Sequence, residues 1–203
     1  MRQCNVRVGG LILIGCLGVT AARAVDHPDL FRAWSPDFAD NGFLSADSAF
    51  SGSSPRGPWQ CGGENVPPAL SWSGAPADTK SFAIVMDDPD AAMGRGGNHW
   101  IVYDIPSSAS GIARSAAASG EPFVGGDSGI DKLAYHGPCA EPGAKPHHFL
   151  FMIYALDIPL GTLPPALTKA EFIKMIQGHN VAEASISARY QRASDGAAMQ
   201  PKD

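Results

Sequence analysis

The chain has 203 residues, 44% of them hydrophobic and 17% charged, with a formal net charge of −5. That is enough apolar content for one sizeable core, and the acidic balance argues against a nucleic-acid partner. Gly (23) and Pro (17) together make up about a fifth of the residues, a share that favours turns and short strands over a helical bundle and stops short of a disordered composition.

In chain order, the first segment reads as a secretory signal. Arg2 and Arg7 precede an apolar run from Val8 to Val19, and the small-residue tripeptide Ala22-Arg23-Ala24 follows. These are the charged, apolar and cleavage regions of a signal peptide, and the run is too short to cross a bilayer as a mature helix. Cleavage after Ala24 divides the chain into a signal peptide, 1–24, and a single expected domain, 25–203. The mature part holds 12 basic against 20 acidic residues and is expected in the periplasm or outside the cell. In a second reading Leu13-Ile14-Gly15-Cys16 is a lipobox, which would leave Cys16 acylated and the protein tethered. Cleavage after Ala24 also leaves Cys61 and Cys139 as the remaining cysteines. Two cysteines in an oxidising compartment usually pair, so a Cys61–Cys139 disulfide is expected.

From Asp26 to Pro58 small apolar clusters are broken by Ser-Pro, Asn-Gly and Gly-Ser-Ser-Pro, a pattern of loops and edge strands. Three segments rich in Val, Ile, Phe and Tyr follow as core strands: Ser81 to Met86, His99 to Ile105 and His148 to Leu156. Their nearly continuous apolar runs indicate burial on both faces. Towards the C-terminus, Thr168 with Glu171 forms a capping box ahead of Phe172, Ile173 and Ile176, and Gly178 ends that helix. Asn180 with Glu183 suggests a second cap, for a helix from Val181 to Arg192 packed through Ala184, Ile186 and Tyr190.

The chemistry-bearing residues gather at strand ends. Asp87-Asp88-Pro89-Asp90 closes the first core strand and His99 opens the next, while Gly137-Pro138-Cys139 lies shortly before His147 and His148. Alternation puts His147 on one face with Phe149, Phe151 and Ile153, and His148 on the other with Leu150, Met152 and Tyr154, so at most one of the pair shares a pocket with His99. A carboxylate that accepts from one imidazole nitrogen fixes the tautomer and favours the protonated ring, leaving the other nitrogen as a donor. Two such histidines would seat an anion, and a Gly-Pro turn could add backbone N–H groups.

Asp88, Asp90, His99 and His147 are also metal ligands by type, but they lack the short regular spacing of a metal motif, which makes metal the runner-up. Gly126-Asp127-Ser128-Gly129 resembles a serine-protease nucleophile loop, yet Ile130 stands where a further glycine belongs. Gly94-Arg95-Gly96-Gly97 lacks the strand-to-helix setting of a nucleotide loop and reads as a turn.

Several separated motifs together resemble a known family. Cys61-Gly62-Gly63-Glu64-Asn65-Val66-Pro67-Pro68 leads to Ala69-Leu70-Ser71-Trp72, and Lys80 to Ala91 reads KSFAIVMDDPDA. His99-Trp100-Ile101-Val102-Tyr103-Asp104-Ile105-Pro106 comes next. Tyr135-His136-Gly137-Pro138-Cys139 with His147, Tyr154-Ala155-Leu156-Asp157 and Gly178-His179-Asn180-Val181 complete the set. In order and content they are similar to the phosphatidylethanolamine-binding proteins, in particular the bacterial Raf-kinase-inhibitor-like branch, over roughly Phe31 to Arg192.

The resemblance implies a mainly β fold: an antiparallel β-sandwich with flanking helices, two of them at the C-terminus. It also implies an anion pocket formed by Asp88, Asp90, His99, Gly137, Pro138 and His147 and walled by Phe149. The expected ligand is a small phosphate-containing anion or a phospholipid head group, held without catalysis and without a cofactor. An extracytoplasmic protein partner is the alternative, and a metal-dependent phosphoester hydrolase comes third. Two departures stand out. Ala92 replaces a proline common in the family, and Phe149 replaces a tyrosine, so a hydroxyl is missing.

Overall fold

The computed structural model describes residues 30–54, 56–116 and 118–195, so the signal-peptide and Cys16 readings lie outside the described residues. The strands in chain order are β1 (Arg32–Trp34), β2 (Gly42–Phe43), β3 (Leu70–Ser73), β4 (Ser81–Asp88), β5 (Gly97–Pro106), β6 (Gly111–Ile112), β7 (Val124–Gly125), β8 (His147–Leu156) and β9 (Asn180–Tyr190). A 3-10 turn covers Ala46–Ser48, a short helical turn α1 covers Ala91–Gly94, and helix α2 covers Lys169–Ile176. The larger sheet runs β2-β9-β8-β4-β5-β7 and the smaller one β1-β3-β6. The pairings are antiparallel except that of β2 with β9, which is parallel.

The three core strands form where the sequence puts them, and their continuous apolar character has a direct cause. Phe82, Ile84 and Met86 of β4 point into the core shared with Leu70 and Trp72 of the smaller sheet. Ala83 and Val85 point the other way, into a second cluster closed by Leu163, Leu167, Phe172 and Ile176. Residues buried on both faces cannot alternate with polar ones, so period-2 patterning disappears from the centre of the sheet. Each large side chain buried there contributes about 1.5–3 kcal/mol through removal from water.

Helix α2 begins with the expected capping box. The Glu171 N–H donates to Thr168 Oγ1 at 3.3 Å, and the Thr168 N–H donates to Glu171 Oε2 at 2.9 Å. Phe172 and Ile176 of this helix cover the sheet, and Gly178, at φ +83°, turns the chain out of it.

The second C-terminal helix does not form. Val181 to Tyr190 lies in β9, paired with β8 from His147↔Tyr190 to Leu156↔Asn180. Ala184, Ile186, Ala188 and Tyr190 are buried at every second position, which is the period of a strand. The Asn180–Glu183 pattern is real as a contact, with Asn180 Nδ2 donating to Glu183 Oε2 at 3.2 Å, but it caps no helix.

The Ala92 departure has a backbone explanation. Ala92 (φ +51°) and Met93 (φ +60°) make a left-handed turn that continues into Gly94 (φ +83°). A proline ring fixes φ near −65°, so proline at position 92 is incompatible with this turn.

Candidate functional site

Antiparallel pairing brings the end of β4 beside the starts of β5 and β8, at one edge of the core between the sheets. A cavity of about 40 Å³ opens there, with Asp88, His99, His147 and Phe149 in its lining together with Arg56 and His136. On this measure that is room for about three waters, the scale of a single tetrahedral oxyanion and far below that of an acyl chain.

Strand geometry accounts for most of the lining. Met86 faces the core between the sheets, so Asp88, two residues on, faces the same way at its edge. Asp87 points to the opposite face and pairs with Lys169 of α2. On β8, His147 shares the face of Phe149 and Phe151, as alternation predicts, while His148 lies on the other.

His99 needs a separate cause. Trp100 belongs to the inter-sheet core and Ile101 to the opposite cluster, so strict alternation would send His99 away from the cavity. The register slips here: Trp100 pairs with Met86 and Asn98 with Asp87, leaving His99 as an extra residue on β5. This bulge turns His99 to the cavity side, a use of bulges common beside functional sites.

The hydrogen bonds give each group a distinct state. Asp88 is buried, and its Oδ1 accepts the backbone N–H groups of Asp90 (2.9 Å) and Ala91 (3.0 Å). Its Oδ2 accepts from His147 Nδ1 at 2.7 Å. That hydrogen bond raises the His147 pKa above the ordinary imidazole value, against the opposing effect of burial. The ring therefore offers Nε2–H as a donor, with positive charge over a wider pH range than a free histidine.

His99 is in the opposite condition. Its Nδ1 donates to the His136 carbonyl at 2.9 Å, and the His136 N–H returns a bond to the His99 carbonyl at 3.1 Å. Burial lowers its pKa, and the His136 carbonyl and Asp88 offset that only in part. The expectation of two carboxylate-backed histidines at His99 and His147 is thus corrected: a carbonyl, not a carboxylate, holds His99, and burial favours the neutral ring.

Two further expectations change. Asp90 orients neither His99 nor His147; its Oδ2 accepts from the backbone N–H and Nδ1 of His148, each at 2.8 Å, and the His148 backbone bond is the chief reason its pKa is lowered. Gly137 does not lend its N–H to the cavity, because that group donates to Asn65 Oδ1 at 2.8 Å. Glycine is required there for another reason: a Cβ would lie 2.2 Å from the Ser48 carbonyl oxygen. The Pro138 carbonyl accepts from the Phe50 N–H at 3.0 Å, so this turn fastens the cavity wall to the 3-10 segment.

Arg56 and His136 were not singled out from sequence. Arg56 lies in the turn of a hairpin whose Ser53 and Gln60 form an antiparallel bridge. The Cys61–Cys139 disulfide, formed as expected, ties the base of that hairpin to the cavity wall. Positive charge from Arg56 is felt at both His99 and His147. His136 stacks on Phe50 at 4.1 Å, and its Nδ1 donates to Asp131 Oδ2 at 2.7 Å.

Asp131 comes from the loop that looks like a protease motif. There Ser128 Oγ donates to the Asp131 carbonyl and accepts the N–H groups of Ile130 and Asp131, so the hydroxyl is spent on a turn. Among the described residues no group of three or more His, Cys, Asp or Glu side chains converges to hold a metal ion, and the Arg56 guanidinium opposes a dication in this cavity.

A β-sandwich with a small His-rich polar cavity at the ends of its central strands is thus the class that fold and geometry define. The model of the phosphatidylethanolamine-binding protein family matches residues 34–191, and the chain belongs to that family. It is 35% identical over 137 residues to a UPF0098 protein of Methanothermobacter thermautotrophicus, covering 66% of this chain and 88% of the relative. It is 30% identical over 166 residues to the UPF0098 protein YbcL of Escherichia coli, covering 79% and 87%. The crystal structure of YbcL, described as a new member of the mammalian PEBP family, superposes with a TM-score of 0.69 over 79% of this chain and 98% of that one. The fold also matches the Chlamydia trachomatis homologue CT736, at 24% identity and a TM-score of 0.67, over 81% and 99%.

Proposed function

We propose that the mature protein is an exported binding protein that holds a phosphate-type anion, free or as a head group, in the His147–Arg56–His99 cavity without turning it over. The observation that carries this reading is the pairing of His147 with a buried carboxylate that is already saturated by two backbone N–H groups. Asp88 thus spends its acceptor capacity on protein groups and holds the ring as a cationic donor. Arg56 adds a second positive charge beside the same small space. Phe149 contributes an apolar wall, set edge-on to His99 with ring centroids 5.2 Å apart.

Binding is favoured over turnover by what flanks the cavity. Cys139 is held in a disulfide, so it offers no thiolate. The Ser54 hydroxyl accepts the Arg56 N–H at 3.1 Å, and among the described residues it makes no bond to a histidine that could activate it.

Calorimetric titration of the mature protein with phosphate and with phosphorylethanolamine at about pH 6, where an imidazole with a raised pKa is charged, tests this reading. Saturable binding is expected, weakened by about 1.5–3 kcal/mol in Arg56→Ala and again in His147→Ala, the usual range for one charge-assisted hydrogen bond. Absence of binding, or unchanged affinity in both variants, would defeat it.

Export belongs to the same proposal. It is supported by the pattern of residues 1–24 and by a disulfide of the kind that persists in oxidising compartments. Protein recovered from the cell envelope should have the mass of a chain starting at Val25. A full-length mass, or an acylated chain starting at Cys16, would overturn that assignment.

A further inference from the structure

We propose that His99 makes the cavity select an oxyanion that carries its own proton, such as a phosphate monoester in its singly charged form, over an equally charged oxyanion without an O–H group. This inference rests on the anion-site reading above and sharpens it to a ligand class. A carbonyl oxygen only accepts, so the 2.9 Å contact with the His136 carbonyl fixes the proton of the neutral ring on Nδ1. The reciprocal bond from the His136 N–H to the His99 carbonyl holds the two residues in this register.

Nε2 is then a lone-pair acceptor. It has no partner among the described residues, and its ring lines the cavity. The groups facing it from the surrounding elements are Asp88 of β4, Arg56 of the hairpin, His136 of the loop before Gly137, and Phe149 of β8.

An anion oxygen set against Nε2 without a proton would bring two acceptors together in a buried place. A P–OH group at the same point makes a hydrogen bond. His147 and Arg56 serve the remaining oxygens of either ligand alike, so they supply affinity without this discrimination. A site built to pair a particular O–H rejects analogues lacking it far more strongly than an apolar pocket rejects a change of size. A phosphodiester head group has no P–OH and is the disfavoured class.

The test uses methylphosphonate and dimethylphosphinate at about pH 6.5, where a histidine with a lowered pKa is mostly neutral and an alkylphosphonate is still mostly a monoanion. Both are then monoanions of nearly equal volume, and they differ in one O–H against one methyl. Methylphosphonate should bind at least about tenfold more tightly to the wild-type mature protein. In His99→Gln, whose amide can present either a donor or an acceptor, the ratio should fall towards one while dimethylphosphinate still binds.

Equal wild-type affinities would overturn the inference and leave the anion site standing, whereas binding of neither probe would overturn both. A ratio that persists in His99→Gln would also overturn it, by assigning the preference to shape. Nitrogen-15 NMR of the wild-type complex gives a reading that does not depend on the variant folding: Nε2 of His99 should be unprotonated, and a protonated Nε2 would defeat the proposal. Glycerol 3-phosphate and vesicles containing phosphatidic acid separate a soluble from a lipid source. Binding of either supports the monoester class, and binding of neither counts against it.

Discussion

Replacing both bridging cysteines, Cys61→Ala with Cys139→Ala, is expected to cost about 4 kcal/mol of folding stability and to weaken anion binding as well. The bridge joins residues separated by 78 positions, and closing a loop of that length removes entropy from the unfolded chain worth about 4 kcal/mol in the loop-closure account. The loss should appear as a lower denaturant midpoint in urea unfolding. The effect on binding follows from what the bridge fastens. Cys61 ends the hairpin that carries Arg56, and that hairpin is otherwise held together by a few bonds of its own: Ser54 N–H to the Trp59 carbonyl, Cys61 N–H to the Gly52 carbonyl, and Gln60 to Ser53. Cys139 lies in the wall of the cavity. Without the bridge, Arg56 must be ordered when the anion binds, and that entropy is charged against affinity. A double variant that loses less than about 1 kcal/mol and keeps native affinity would show that packing alone positions the hairpin.

The same hairpin depends on contacts that local sequence does not encode. The disulfide could be anticipated by counting cysteines, but its consequence, bringing Arg56 to the cavity, depends on a long-range closure that no local pattern carries. The core strands were legible because a run such as FAIVM has no other way to be buried, and Thr168 with Glu171 was legible because capping is local chemistry. The helix expected from Val181 to Arg192 failed by giving a local cap signal more weight than periodicity. Ala184, Ile186 and Tyr190, the packed side of that helix, are spaced by two and four residues, which is the spacing of a strand. Ten residues of pairing with β8 then outweigh any helix preference of the alanines.

The site was half legible for a related reason. Alternation places His147 because β8 is regular, and it turns the neighbouring His148 to the other face. His99 sits on a bulge, and alternation alone would have turned it away. The family resemblance groups Asp90 with Asp88, but the turn after Pro89 carries it to His148 instead. His136 was visible within the Tyr135-His136-Gly137-Pro138 motif but gave no separate signal. Its partner, Asp131, belongs to a loop that draws attention for an unrelated resemblance, and that loop's real contribution is the carboxylate on the His136 ring.

Asp88 carries the largest expected effect of any single cavity residue, and two substitutions separate its roles. Asp88→Ala leaves the N–H groups of Asp90, Ala91 and His147 Nδ1 without their acceptor in a buried place, at an expected cost of about 3–5 kcal/mol. Asp88→Asn keeps an oxygen for the two backbone donors but presents an amide N–H to the imidazole. His147 must then give up its Nδ1 proton and accept, which removes the cause of its raised pKa. The pH dependence follows with a definite sign. In the wild type the folded-state pKa of His147 lies above the unfolded value of about 6.5, so its contribution is fully present below that pH and is lost as pH rises through the raised folded value. His99 acts oppositely: its folded pKa is depressed, so stability falls as pH drops below about 6.5 and the unfolded chain takes up a proton that the buried ring resists. In Asp88→Asn the His147 contribution is lost, while that of His99 grows because the Asp88 charge no longer offsets its burial. Urea unfolding measured across pH should therefore show the gap between wild type and Asp88→Asn widest on the acid side of neutrality and narrowing above it. Parallel stability curves for the two proteins would mean that His147 is not held as a cation by Asp88, and the anion seat would lose its principal support.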